Sequence, residues 1–187
     1  MNYQNIACWG DSQTFGARTY GCYPLHLVKI LNDRTRYRWR ALNLSENGLT
    51  ARGLWFRLPH DLPATADVHH ACVLIGANDV GNATPIELFT EYYRQILSTL
   101  ELSGFRAVFC GEIPPLWPDG HAFFPAATEE RRAEYNRRLR AVAGEFASAR
   151  MVDLSDLPAE CYTDPVHFNE EGNRVVAERY AAAVMAY

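Results

Sequence analysis

Five short apolar runs, each closed by a breaker and separated from the next by a helical pattern, restrict this chain more than any other feature. The runs are NIACWG (5–10), WRALNLS (39–45), ACVLIG (71–76), RAVFCGE (106–112) and RMVDLS (150–155). Their centres are apolar at successive positions rather than at every second one. A strand covered on one face alternates, whereas a parallel strand covered on both faces does not. Helical patterns fill the gaps. YPLHLVKILN (23–32) follows the first run and TARGLWFRL (50–58) the second. In the third, Thr84 is placed to cap, Pro85 to occupy the first turn and Glu87 to complete a capping box. Ile86, Phe89, Tyr93, Ile96, Leu97 and Leu100 then recur at helical spacing, and Gly104 stops the helix. The fourth runs from about Thr128 to Ala147, with Tyr135, Leu139, Val142 and Phe146 on one face, and the last opens at Asn169.

Strand and helix therefore alternate five times. Such a chain folds as an α/β protein, a doubly wound, flavodoxin-like sheet of about five parallel strands with helices on both faces. With 187 residues it has material for one domain with a sizeable core. In such sheets ligands bind beyond the carboxyl ends of the strands.

Composition removes other classes. A net charge of −4 argues against a general nucleic-acid binder. The one basic cluster, RTRYRWR (34–40), reads as a solvated strand edge. No apolar run is long enough to span a membrane, and MNYQNIACWG lacks the basic start and apolar stretch of a secretory leader. The five cysteines, Cys8, Cys22, Cys72, Cys110 and Cys161, are odd in number, and none is paired at CxxC spacing. Free buried thiols in a reducing, cytoplasmic setting are expected. His26, His60 and His121 show no metal-ligand spacing, and His69 and His70 fall at the amino end of the third strand as surface residues. No Gly-rich phosphate loop follows a strand. Neither metal nor cofactor is predicted.

The polar residues fall where the topology converges. Gly10, Asp11 and Ser12 end the first strand, SENGLT with Asn47 and Gly48 the second, and GANDV with Gly76, Asn78 and Asp79 the third. TDPVHFNEEG, with Asp164 and His167, follows the fifth. Each alone is ordinary turn or cap chemistry. On one rim they supply a hydroxyl, glycine backbone, an amide, a carboxylate and an imidazole, the inventory of an acyl-transfer site.

GDSQTFG, NLSENG, GANDV and DPVHFNEEG, in that order between Gly10 and Gly172, also resemble the four sequence blocks of the SGNH hydrolases, or GDSL lipases and esterases. The resemblance implies that Ser12 is the nucleophile and that Asp164 and His167 complete a triad. It implies an oxyanion hole from the backbone N–H of Ser12, that of Gly48 and the Asn78 amide. The chain departs at Gln13, where the family name has Leu; its side chain could border the pocket. The chemistry agrees. A serine hydroxyl needs a base to take its proton, a free imidazole titrates near neutrality, and a carboxylate three residues away can fix the tautomer. Asp11 and Asp79 lie near no histidine and are expected to bond backbone amides and shape turns.

The irregular stretch IPPLWPDGHAFFPAAT (113–128) follows the fourth strand and should overhang the same rim. Trp117, Phe123 and Phe124 either wall an acyl or leaving-group pocket or pack the loop down and bury a subunit contact, so a homo-oligomer stays open. The expected activity is a serine esterase acting on small, short-chain acyl esters. A carbohydrate O-deacetylase or an acyl thioesterase would use the same residues, and a binding module of flavodoxin-like fold is the alternative without catalysis.

Overall fold

The computed structural model describes residues 3–117 and 124–187. Five strands form one parallel sheet: β1 (Tyr3–Gly10), β2 (Arg38–Asn43), β3 (His70–Leu74), β4 (Ala107–Gly111) and β5 (Ala149–Val152). Their spatial order is β2-β1-β3-β4-β5, the flavodoxin-like doubly wound order. The order changes direction at β1, so the crevice opens between the carboxyl ends of β1 and its neighbours.

Alternate residues of the central strands feed two cores. Ala7, Trp9, Ala71, Val73, Val108 and Cys110 pack toward α3 (Ala51–Asp61), α5 (Ile86–Leu102) and α6 (Glu129–Ala143). Ile6, Cys8, Cys72, Leu74, Ala107 and Phe109 pack toward α2 (Tyr23–Arg34) and α7 (Glu170–Ala186). This two-sided burial is why the central runs read as continuous apolar stretches. On the second face Tyr23 stacks on Tyr180, with ring centroids 4.9 Å apart. All five cysteines are buried free thiols. The edge strand β2 buries Trp39 but exposes Arg38 and Arg40, the solvated edge expected of the basic cluster.

Three local expectations change. The helix predicted to be capped by Thr84 begins at Ile86, with Pro85 at the cap and no side-chain capping bond. Thr84 is drawn into the preceding turn: its N–H donates to the Asp79 carbonyl at 2.9 Å, and its carbonyl accepts from the Tyr135 hydroxyl. The fourth helix ends at Ala143, so Phe146 packs against the core from the turn beyond it. His70 is no surface residue: it is half-buried between Trp39 and Tyr187, with ring centroids 5.4 and 6.0 Å away. Two short helices at strand ends, α1 (Ser12–Phe15) and α4 (Ala77–Gly81), are too brief to show a periodicity in sequence. Among the described residues no helix is long and apolar enough to cross a membrane.

Candidate active site

β1 ends against its neighbours so tightly that only glycine fits. A Cβ on Gly10 would lie 2.1 Å from Thr14 Oγ1 and 2.3 Å from the Leu74 carbonyl oxygen. The chain turns at once into α1, whose cap is Asp11, with Oδ1 accepting the Gln13 N–H at 2.9 Å. This turn holds Ser12 at the carboxyl edge of the sheet, 8% exposed.

The second segment is tied to the same edge. Leu44 N–H donates to the Cys8 carbonyl at 2.9 Å and Glu46 N–H to the Gly10 carbonyl at 3.1 Å, which extends the β1–β2 pairing past the strand. Gly48 follows with φ +81°, a left-handed conformation suited to glycine, and nothing lies within 4 Å of where its Cβ would be. Beyond β3, α4 carries Asn78, whose Nδ2 donates to the Leu49 carbonyl at 2.8 Å and reaches Asp11 Oδ2 at 3.4 Å. Asn78 thus fastens the Gly48 loop to the third strand end.

The fourth segment comes from residues 163–168, ahead of the Asn169 cap of α7. Asp164 Oδ1 accepts the N–H groups of Val166 at 2.9 Å and His167 at 2.8 Å, folding the loop around the carboxylate. The same carboxylate lies 2.8 Å (Oδ2) and 3.0 Å (Oδ1) from His167 Nδ1. His167 Nε2 lies 3.0 Å from Ser12 Oγ. Because Nδ1 faces only acceptors, the neutral ring carries its proton there, and Nε2 presents a lone pair to the Ser12 hydroxyl. Burial raises the Asp164 carboxyl, but the bonds from the His167 ring and from the His167 and Val166 N–H groups outweigh it, and its pKa is lowered. Asp164 is therefore an anion at neutral pH.

Ser12, Asn47, Gly48, Asn78, Asp164 and His167 all line one cleft of about 440 Å³. Of the aromatics expected there, Phe124 lines the cleft. Trp117 faces a neighbouring cavity of about 790 Å³ with none of these polar groups, and packs edge-on to Tyr162. Phe123 and His121 lie outside the described residues. Gln13 does not border the cleft: it is 2% exposed and turned inward.

Sequence reasoning missed Arg18. It lines the cleft, holds φ at +70°, and brings Nε to 3.8 Å from Asp164 Oδ2. A lone arginine in a loop gives no periodic or motif signal. Asp11 shapes its own turn as expected. Asp79 reaches farther, with Oδ2 accepting the Ala51 N–H at the start of α3 at 2.8 Å. Burial above all pushes the Asp11 carboxyl up to about 7 and that of Asp79 to about 6, and the nearby Asp79 adds to the rise at Asp11.

The arrangement can deprotonate a serine hydroxyl as it attacks, through a base oriented by a carboxylate. Comparison with known proteins agrees in fold. TesA superposes with a TM-score of 0.81 at 18% identity, over 98% of this chain and 99% of that one. A lipase/acylhydrolase from Enterococcus faecalis gives 0.82 at 16% identity, over 98% and 96%. The acetyl xylan esterase AlAXEase gives 0.75 at 18% identity, over 96% and 99%. No curated protein sequence matches the chain. Residues 8–175, nearly the whole chain, match the GDSL-like Lipase/Acylhydrolase family. The chain belongs to that family, and it is an enzyme of ester hydrolysis.

Proposed function

We propose that the protein is a serine esterase that hydrolyses small acyl esters through an acyl-enzyme on Ser12. The observation that carries the reading is the continuous relay from Ser12 Oγ to His167 Nε2 at 3.0 Å and from His167 Nδ1 to Asp164 at 2.8 Å.

In the first half-reaction Ser12 Oγ bonds to the ester carbonyl carbon while its proton passes to His167 Nε2. The carbonyl oxygen becomes an oxyanion. Its donors are the N–H of Ser12, the N–H of Gly48 and the Asn78 amide. One Asn78 hydrogen is spent on Leu49, and the long 3.4 Å contact to Asp11 is the one an oxyanion replaces. His167 then gives its proton to the departing alkoxide, and the acyl group stays on Ser12. In the second half-reaction a water attacks the acyl carbon and loses a proton to His167. Collapse returns that proton to Ser12 Oγ and releases the acid. Asp164 stays ionised throughout and stabilises the imidazolium.

A cleft of about 440 Å³ walled by Phe124 suits a short acyl chain. An O-deacetylase acting on carbohydrate is a second reading, favoured by the likeness to the acetyl xylan esterase AlAXEase. A thioesterase would use the same relay.

Treatment with a fluorophosphonate, followed by mass spectrometry, tests the reading. Labelling of Ser12 that vanishes in His167→Ala is the expected result. Ester hydrolysis by a protein that stays unlabelled would overturn it. A series of aryl esters, sugar acetates and acyl-thioesters then ranks the substrate classes. Turnover of long-chain esters faster than acetate or butyrate would refute the short-chain assignment.

A further inference from the structure

Gln13 is the position at which the chain leaves the GDSL pattern, and its side chain has a specific task. It is 2% exposed, and its Nε2 donates to the Val166 carbonyl at 2.8 Å, between residues 153 apart in sequence. That carbonyl belongs to the peptide unit joining Val166 to His167. The other end of the same unit, the His167 N–H, donates to Asp164 Oδ1 at 2.8 Å. The peptide plane from which the imidazole hangs is thus held at both ends, by Gln13 and by Asp164.

The contact is paired with the catalytic one. Ser12 and Gln13 are adjacent on α1, and His167 and Val166 are adjacent on the facing loop. Ser12 meets the His167 ring, and Gln13 meets the Val166 backbone. Gln13 is itself anchored, because its N–H is held by Asp11 Oδ1 at 2.9 Å. Two other ties of the loop, Thr163 N–H to the His167 carbonyl and Trp117 N–H to the Pro165 carbonyl, both at 2.8 Å, do not touch α1. A leucine at position 13 would fill similar space but donate no hydrogen bond, leaving the Val166 carbonyl buried without this partner.

We infer that Gln13 is a positioning residue for His167: its amide clamps the Val166–His167 peptide and so keeps Nε2 within hydrogen-bond reach of Ser12 Oγ. This rests on the proposed role of Ser12 and His167. Catalysis is sensitive to such placement, with misplacements near 1 Å costing on the order of 10²-fold.

The test compares wild type, Gln13→Leu and Gln13→Met for fluorophosphonate inactivation and aryl acetate turnover, with thermal melts alongside. Met is unbranched and close to Gln in length, so it carries the comparison should Leu disrupt the fold. The expected result is a fall of about 10- to 100-fold in kcat and in the inactivation rate constant, with KM within about twofold. The downfield proton resonance expected of His167 Nδ1–H in wild type, from its 2.8 Å contact with Asp164, should broaden or move in the variants. A folded variant with wild-type kcat and an unchanged resonance overturns the inference. A wild type that is not labelled at Ser12 overturns instead the esterase reading on which it rests, so the two failures are distinct.

Discussion

Replacing Asp164 with Asn changes one oxygen to NH2 and tests the relay most sharply. The carboxylate makes contacts of two kinds. Oδ1 accepts the Val166 and His167 N–H groups at 2.9 and 2.8 Å, and Oδ2 takes the shortest bond to His167 Nδ1, at 2.8 Å. Asparagine keeps the first set by placing its carbonyl oxygen at Oδ1. Its NH2 then faces Nδ1 as a donor. The oxygen kept at Oδ1, 3.0 Å from Nδ1, is already engaged by the two backbone N–H groups, so Nδ1 offers its lone pair to the NH2, and the imidazole proton moves to Nε2 and points at Ser12. A protonated Nε2 cannot accept the serine proton. The loss expected from the wrong tautomer is on the order of 10⁴ in kcat, or about 5 kcal/mol of transition-state stabilisation at about 1.4 kcal/mol per tenfold. Asp164→Ala should lose a similar amount of activity but also free two backbone N–H groups, at roughly 1 kcal/mol each. Steady-state kinetics with an aryl acetate and urea denaturation of both variants separate these effects. The two variants should lose kcat equally, with a midpoint shift confined to Asp164→Ala. An Asp164→Asn enzyme within about tenfold of wild-type kcat would refute this.

Asn78→Ala removes the proposed oxyanion donor and the tie to the Leu49 carbonyl; kcat should fall by about 10²- to 10³-fold with KM little changed, and a kcat close to wild type would remove Asn78 from the proposed oxyanion hole. Gly10→Ala places a Cβ 2.1 Å from Thr14 Oγ1 and 2.3 Å from a backbone oxygen, so the urea midpoint should drop by an amount equivalent to about 2 kcal/mol or more, at unchanged slope. Asp11 has its folded pKa raised to about 7 from the ordinary 3.8, so the folded state holds the extra proton. Its stability is full below about pH 4 and is lost as pH rises through about 7, by up to roughly 4 kcal/mol. Asp79, raised to about 6, acts in the same direction. The contribution of Asp164, whose pKa is lowered, is lost only at more acid pH. Melting temperatures should therefore fall from pH 5 to pH 8 in wild type and fall less in Asp11→Asn, whose carbonyl still caps α1; a flat wild-type profile would contradict this.

Much of the site was legible because each polar residue sits where a local pattern breaks. Ser12, Gly48 and Asn78 end apolar runs, and Asp164 and His167 precede a helix cap at Asn169. Turn chemistry is local, so spacing alone carries it. Other features depend on partners distant in sequence. Thr84 loses its expected cap role to Asp79 and Tyr135. Trp117 turns from the cleft to Tyr162 while Phe124 stays in it. Arg18 enters the cleft from a loop without any pattern.

By itself the sequence determined the alternation of strand and helix, the two-sided burial of the central strands and the residue types delivered to the strand ends. Periodicity and breakers act over a few residues, and a chain carries that information in order. The flavodoxin-like order, with β1 between β2 and β3, and the meeting of the 163–168 loop with the end of β1 were expected from that alternation; only the tertiary structure decided the finer contacts there, Gln13 turned inward under the Val166 carbonyl and Arg18 beside Asp164. The clamp of Gln13 on Val166 exists because that sheet order closes a distance of 153 residues, which no local pattern encodes.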